Sequence, residues 1–104
     1  MTIQFNADNN LILHEEFRDK LKDHLTKKLN RFSENMTRLE VHLSDDNGGK
    51  NGQDDKKCLL EARVEGRPPI AVTAAANNYE QAVDAAIEKL KSSLDKVFGK
   101  LTNH

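Results

Sequence analysis

Apolar and polar residues alternate from Thr2 to Ala7, with Ile3, Phe5 and Ala7 on one side and Thr2, Gln4 and Asn6 on the other. That period of two predicts a strand with one buried face. Asp8-Asn9-Asn10 reads as a turn, because short polar side chains bond to nearby backbone. From about His14 to Ser33 the period changes. Phe17, Leu21, Leu25, Leu29 and Phe32 recur at spacings of four, four, four and three, one apolar stripe along a helix of about five turns. Glu15 and Glu16 in its first turn and Lys27, Lys28 and Arg31 near its end suit the helix dipole.

Alternation returns from Thr37 to Ser44, where Leu39, Val41 and Leu43 oppose Arg38, Glu40 and His42. It recurs from Cys58 to Glu65, with Cys58, Leu60, Ala62 and Val64 facing one way, and again in Ile70, Val72 and Ala74 after the turn Gly66-Arg67-Pro68-Pro69. Asp45 to Lys57 holds no apolar residue in thirteen and predicts an exposed, mobile loop at the tip of a long hairpin. Asn77 or Asn78 is placed to cap a second helix, since an Asn side chain accepts from the orphan N–H groups of a first turn. That helix runs from about Tyr79 to Leu101, with the stripe Tyr79, Ala82, Val83, Ala86, Ile87, Leu90, Leu94, Val97, Phe98 and Leu101. Gly99 weakens its last turns.

Strand, helix, three strands, helix, each with one apolar side, predicts an α+β two-layer sandwich: β-α-β-β-β-α, a four-stranded sheet with both helices on one face. A chain of 104 residues sets the expectation of a single domain over 1–104. No apolar stretch approaches the roughly 18 residues of a membrane span. The first residues lack the basic start and apolar core of a secretion signal. The single cysteine, Cys58, cannot form an internal disulfide. Together these lead to the expectation of a cytoplasmic protein.

Candidate chemistry is sparse. His14, His24, His42 and His104 show no metal-ligand spacing, and one cysteine cannot complete a site, so no metal and no cofactor are expected. The acidic stretch at Asp45, Asp46, Asp54 and Asp55 fails the calcium-loop template, because its twelfth position is Lys56 and not Glu. Gly48-Gly49-Lys50 lacks the following Ser or Thr of a phosphate loop. Cys58 reads as a small core residue, not a nucleophile, and Tyr79 as a core residue before a base-stacking one. Paired catalytic groups are missing, so the chain is not expected to be an enzyme or to take a small-molecule substrate.

Sixteen Lys and Arg against seventeen Asp and Glu give a net charge of −1, without the basic excess usual in nucleic-acid binders. The charges are nevertheless sorted. At about 100° per residue, Lys20, His24, Lys27 and Arg31 fall on one edge of the first helical stripe, with Lys28 near the boundary. On the second helix Lys89, Lys96 and Lys100 fall on one edge, and Glu80, Asp84, Glu88 and Asp95 gather on the other. Two basic edges brought together would form a surface for a phosphate backbone. Lysines also sit beside apolar stripes simply because their stems cover apolar surface, and the pattern alone leaves both readings open.

Two segments carry a family resemblance. Tyr79-Glu80-Gln81-Ala82-Val83-Asp84-Ala85-Ala86-Ile87-Glu88-Lys89-Leu90 resembles the "Y-x-A-I-D-x-x-I-D-K-L" segment of the ribosome hibernation promoting factor and ribosome-associated inhibitor A family, also called sigma-factor modulation proteins. Phe17-Arg18-Asp19 through Leu25-Thr26-Lys27-Lys28-Leu29-Asn30-Arg31-Phe32 is similar to its "L-R-x…K-L-x-K-L-x-R" segment. The element order matches too, so the resemblance covers nearly the whole chain. It departs at Ser92-Ser93, where the family usually carries an Arg-Gln pair, and at the sparsely charged Leu101-Thr102-Asn103-His104.

The resemblance implies a fold akin to the double-stranded-RNA-binding domain and a short-type member of the family. It implies binding to the small ribosomal subunit in the channel of mRNA and tRNA, and silencing of translation under stress or in stationary phase. Recognition would be by RNA backbone and shape, without catalysis. Carried over by position, the RNA-contact role falls on Lys20, Lys27, Lys28, Arg31, Lys89 and Lys96, and the helical wheel adds Lys100. No membrane partner is expected, the oligomeric state is open, and a monomer is favoured. The competing expectation is a protein–protein adaptor that keeps the fold but has lost the ribosome, using the open sheet face at Glu40, His42, Glu61, Arg63 and Thr73 or the acidic helix edge. A small enzyme ranks last.

Overall fold

A computed structural model describes residues 1–7, 14–45 and 55–102 of the chain, with the side chains of 99–102 outside that description. The elements are β1 (Thr2–Ala7), α1 (Glu15–Lys28), a 3-10 turn (Asn30–Phe32), β2 (Met36–Asp45), β3 (Lys56–Val64), β4 (Ile70–Ala76) and α2 (Tyr79–Thr102). The sheet order is β1-β2-β3-β4. β1 pairs parallel to β2, whereas β2–β3 and β3–β4 are antiparallel. The fold is thus the expected α+β arrangement of a four-stranded sheet and two helices.

Alternation in the sequence becomes the two faces of the sheet. Leu39 pairs with Ala62, Val41 with Leu60 and Leu43 with Cys58, and all six are buried. Against this face pack Leu21 and Leu25 of α1 and Ala82, Val83, Ala86, Ile87, Leu90 and Leu94 of α2. Cys58 lies fully inside this layer, and burial pushes its thiol up to about 12, since a thiolate has no solvation there. The Asn78 Oδ1 accepts from the Gln81 backbone N–H at 2.8 Å and so caps α2.

Three local features differ from the sequence expectation. α1 ends at Lys28, not near Ser33. Leu29, at φ −107° and ψ 11°, leaves helical geometry. A 3-10 turn follows, in which Phe32 N–H donates to the Leu29 carbonyl at 3.0 Å. In such a turn residues three apart eclipse, so Leu29 and Phe32 both stay buried. At the start of β2 the register shifts between Met36 and Arg38. The bulge reverses the parity of facing: Met36 is buried and Thr37 exposed, although strict alternation from Leu39 would place Thr37 inside.

The polar stretch Asp45–Lys57 is partly strand. Asp45 closes β2 and Lys56 opens β3 opposite it. The Lys56 Nζ lies 3.0 Å from Asp45 Oδ2 and 3.2 Å from Asp55 Oδ1, and Asp55 is only 3% exposed. Opposite charges facing across a strand pair extend the hairpin without apolar residues. The hydrogen bond from Lys56 to Asp45 holds the ammonium pKa above its ordinary value, outweighing desolvation. The remaining positions of the expected mobile loop, 46–54, lie outside the described residues.

Candidate nucleic-acid interface

The helices run parallel, and their order along the chain requires it. Each element after β1 reverses direction up to α2, so α1, β3 and α2 all point the same way. Three cross-links confirm the alignment in ascending order. Lys20 Nζ lies 2.9 Å from Glu80 Oε1, the His24 ring pairs with Asp84, and Arg31 Nη2 lies 2.8 Å from Asp95 Oδ1.

This seam corrects the expected surface. The two basic edges do not come together; the basic edge of α1 faces the acidic edge of α2. The reason is geometric. Both basic edges lie on the same rotational side of their stripes. When two parallel helices lie stripe-down on one sheet, same-sided edges point in the same direction, so the basic edge of one meets the opposite edge of its neighbour. The signal was present in the element order, combined with Glu80, Asp84 and Asp95 at compatible positions.

The six candidate cations whose side chains are described therefore separate. Lys20 and Arg31 line the seam. Lys27 lies 3.0 Å from Asp23 one turn back and is 75% exposed in its side chain. Lys89 sits on the opposite edge of α2, donating to the Thr73 carbonyl of β4 at 2.8 Å. Lys28 and Lys96 are exposed and have no ion-pair partner among the described residues. The Lys100 side chain lies outside the described residues. Every seam pair is exposed to water. Such pairs contribute roughly 0–1 kcal/mol each, so their cations are only loosely committed to them.

A shallow depression of about 240 Å³ follows the seam, lined by Lys20, Leu21, Asp23, His24, Lys27, Glu80 and Asp84. Among the described residues, no group of three or more His, Cys, Asp or Glu could hold a metal, and no helix is long and apolar enough to cross a membrane.

The open sheet face carries a second charged array. Glu40 Oε2 lies 3.5 Å from Arg38 Nη2 and 3.6 Å from Arg63 Nη2, and Glu40 Oε1 lies 3.6 Å from His42 Nε2. Glu40 also faces Glu61 across the β2–β3 ladder, and Arg63, 3.5 Å from Glu61, bridges the two carboxylates. The Arg38 guanidinium donates to the side-chain Oε1 of Gln4 on β1. Cations here are already matched within the face.

Residues 9–102 match the family described as sigma 54 modulation protein / S30EA ribosomal protein. The chain belongs to this family of ribosome-associated modulation factors. Among the solved structures that share its fold are two at 18% and 19% identity. One is the Protein Y N-terminal domain of Thermus thermophilus, 18% identical, with TM-score 0.72 over 93% of this chain and 99% of that one. The other is a ribosomal subunit interface protein from Coxiella burnetii, 19% identical, with TM-score 0.73 over 95% of this chain and 99% of that one. The search of curated protein sequences found no significant match.

Proposed function

We propose that this chain is a non-enzymatic ribosome-associated factor that binds the rRNA of the small ribosomal subunit through its helical face. By occupying that site it silences translation under stress or in stationary phase. The observation that carries the reading is the family match over residues 9–102, and the similarity to a ribosomal subunit interface protein supports it. The chain would act in the cytoplasm, as a monomer, with no membrane partner. Exposed Lys27, Lys28 and Lys96 supply ready phosphate contacts, while Lys20 and Arg31 join by exchanging their seam carboxylates for phosphates. Lys89, held against β4, and Lys100 complete the set.

Sedimentation with ribosomes through sucrose gradients tests this. Comigration with the small subunit is expected at low salt, weakening steeply as salt rises, because phosphate contacts release counterions. The variant Lys27→Glu/Lys28→Glu/Lys96→Glu removes no interhelical pair and should abolish comigration while leaving the fold intact. Binding unaffected by salt and by this variant would sink the reading.

One observation favours a second reading, the protein adaptor. The open sheet face holds a depression of about 460 Å³ whose lining includes His42, Lys57, Leu59, Glu61 and Thr73. A partner docked there would be indifferent to the three lysine reversals.

A further inference from the structure

At the end of the molecule where α1 gives way to its 3-10 turn, two aromatic rings from separate elements meet. Phe32 and Phe98 have centroids 6.4 Å apart and planes tilted by 34°. Each ring also carries a guanidinium. The Arg31 Cζ lies 4.3 Å from the Phe32 centroid, and the Arg67 Cζ lies 5.9 Å from that of Phe98. Arg31, Phe32, Phe98 and Arg67 thus form one contiguous cluster, drawn from the 3-10 turn, α2 and the β3–β4 turn.

The two arginines are not equivalent. Arg31 is paired with Asp95. Arg67 is exposed and has no carboxylate within ion-pair distance among the described residues. Its backbone is also fixed. Gly66 takes φ +73° with open space around its missing Cβ, the Arg67 N–H donates to the Val64 carbonyl at 3.2 Å, and Pro68 and Pro69 lock the next two φ angles. A guanidinium held within cation–π range of a ring keeps its forked N–H donors and its full charge for an anion. Holding that edge in place before binding lowers the ordering cost of the contact.

We propose that Arg67 is an RNA-contacting residue. Its guanidinium, seated on Phe98, receives a phosphate of the RNA backbone, and Arg31 on Phe32 offers a neighbouring contact. The proposal rests on the ribosome-binding reading above and extends its surface from the helices to the β3–β4 turn.

The test is equilibrium binding of the full chain to purified small ribosomal subunits across a potassium chloride series, with thermal melting of each variant. Arg67→Ala should weaken binding about tenfold at low salt and lower the slope of log affinity against log salt by about one. Arg67→Lys should keep the wild-type slope yet bind several-fold more weakly, because an ammonium keeps the charge but not the forked edge. Wild-type affinity and slope in Arg67→Ala, alongside lost binding in Lys27→Glu/Lys28→Glu/Lys96→Glu, would overturn the proposal and leave the ribosomal reading standing. Equal losses in both Arg67 variants with equally lowered melting temperatures would assign Arg67 a structural role and overturn it too. No binding by the wild-type chain at any salt would remove both.

Discussion

The seam between the helices and the open face of the sheet hold similar charges in opposite arrangements. Along the seam, each basic side chain meets one carboxylate from the neighbouring helix, and both partners of each pair stand in water. On the sheet, a single carboxylate, Glu40, only 13% exposed in its side chain, gathers two arginines and a histidine. The seam can be rewired one pair at a time. The sheet array cannot, since removing its centre takes a partner from Arg38, Arg63 and His42 at once and leaves Glu61 to Arg63. The difference lies in how the charges are wired and not in which charges are present, and under the proposed reading the seam's looseness is what lets a phosphate compete with a carboxylate.

Breaking the layer beneath both arrays sets the scale. Leu25→Ala, at a fully buried position under the seam, should cost about 2–4 kcal/mol in urea unfolding. A second probe of that layer is Cys58. Its thiol is raised from 9.0 to about 12, so between those pH values the unfolded chain has released a proton that the folded chain retains. Stability therefore falls as pH rises through that window, by up to about 1.4 kcal/mol per pH unit. Urea midpoints followed from pH 8.5 upward should drop faster for the wild type than for Cys58→Ala, and parallel curves would contradict the burial. On the sheet, Glu40→Ala should cost about 1 kcal/mol, read as a lowered melting temperature. Neutralising the seam by Glu80→Gln/Asp84→Asn/Asp95→Asn should move stability least, by about 0.5 kcal/mol or less in total, while tightening ribosome binding by freeing Lys20, Arg31 and the His24 ring. Weaker binding in that variant would mean the ion pairs position the cations and do not compete for them.

Much of this was legible in the chain. Period-two alternation at Leu39, Val41 and Leu43 and at Cys58, Leu60 and Ala62 marked the buried face, because a one-sided sheet leaves a pattern that tertiary context cannot easily override. The stripe of α2 and its Asn cap were equally plain. What escaped depended on partners distant in sequence. Met36 is buried through a bulge that alternation cannot announce. Asp55 is buried beside Lys56, in a stretch whose polarity argued for solvent. The wheel put Lys20, His24 and Arg31 on one edge of α1 and Glu80, Asp84 and Asp95 on one edge of α2, as the seam has them, yet their meeting depends on how two helices lie side by side. Arg67 carried no sequence signal, since only folding places Phe98 beneath it.

The parallel pairing of β1 has a consequence for the order of folding. β2, β3, β4 and α2 follow one another with short-range contacts, whereas β1 must reach β2 across the whole of α1, matching Thr2 with Arg38 and Ala7 with Leu43. Closing that larger loop costs more chain entropy before any contact rewards it. β1 also has one neighbour only, and Ile3 and Phe5 are half-buried where their counterparts in β2 are fully so. It is therefore the last strand to join the sheet and the first to leave it, and under native conditions its amides should exchange with solvent well ahead of those of β3.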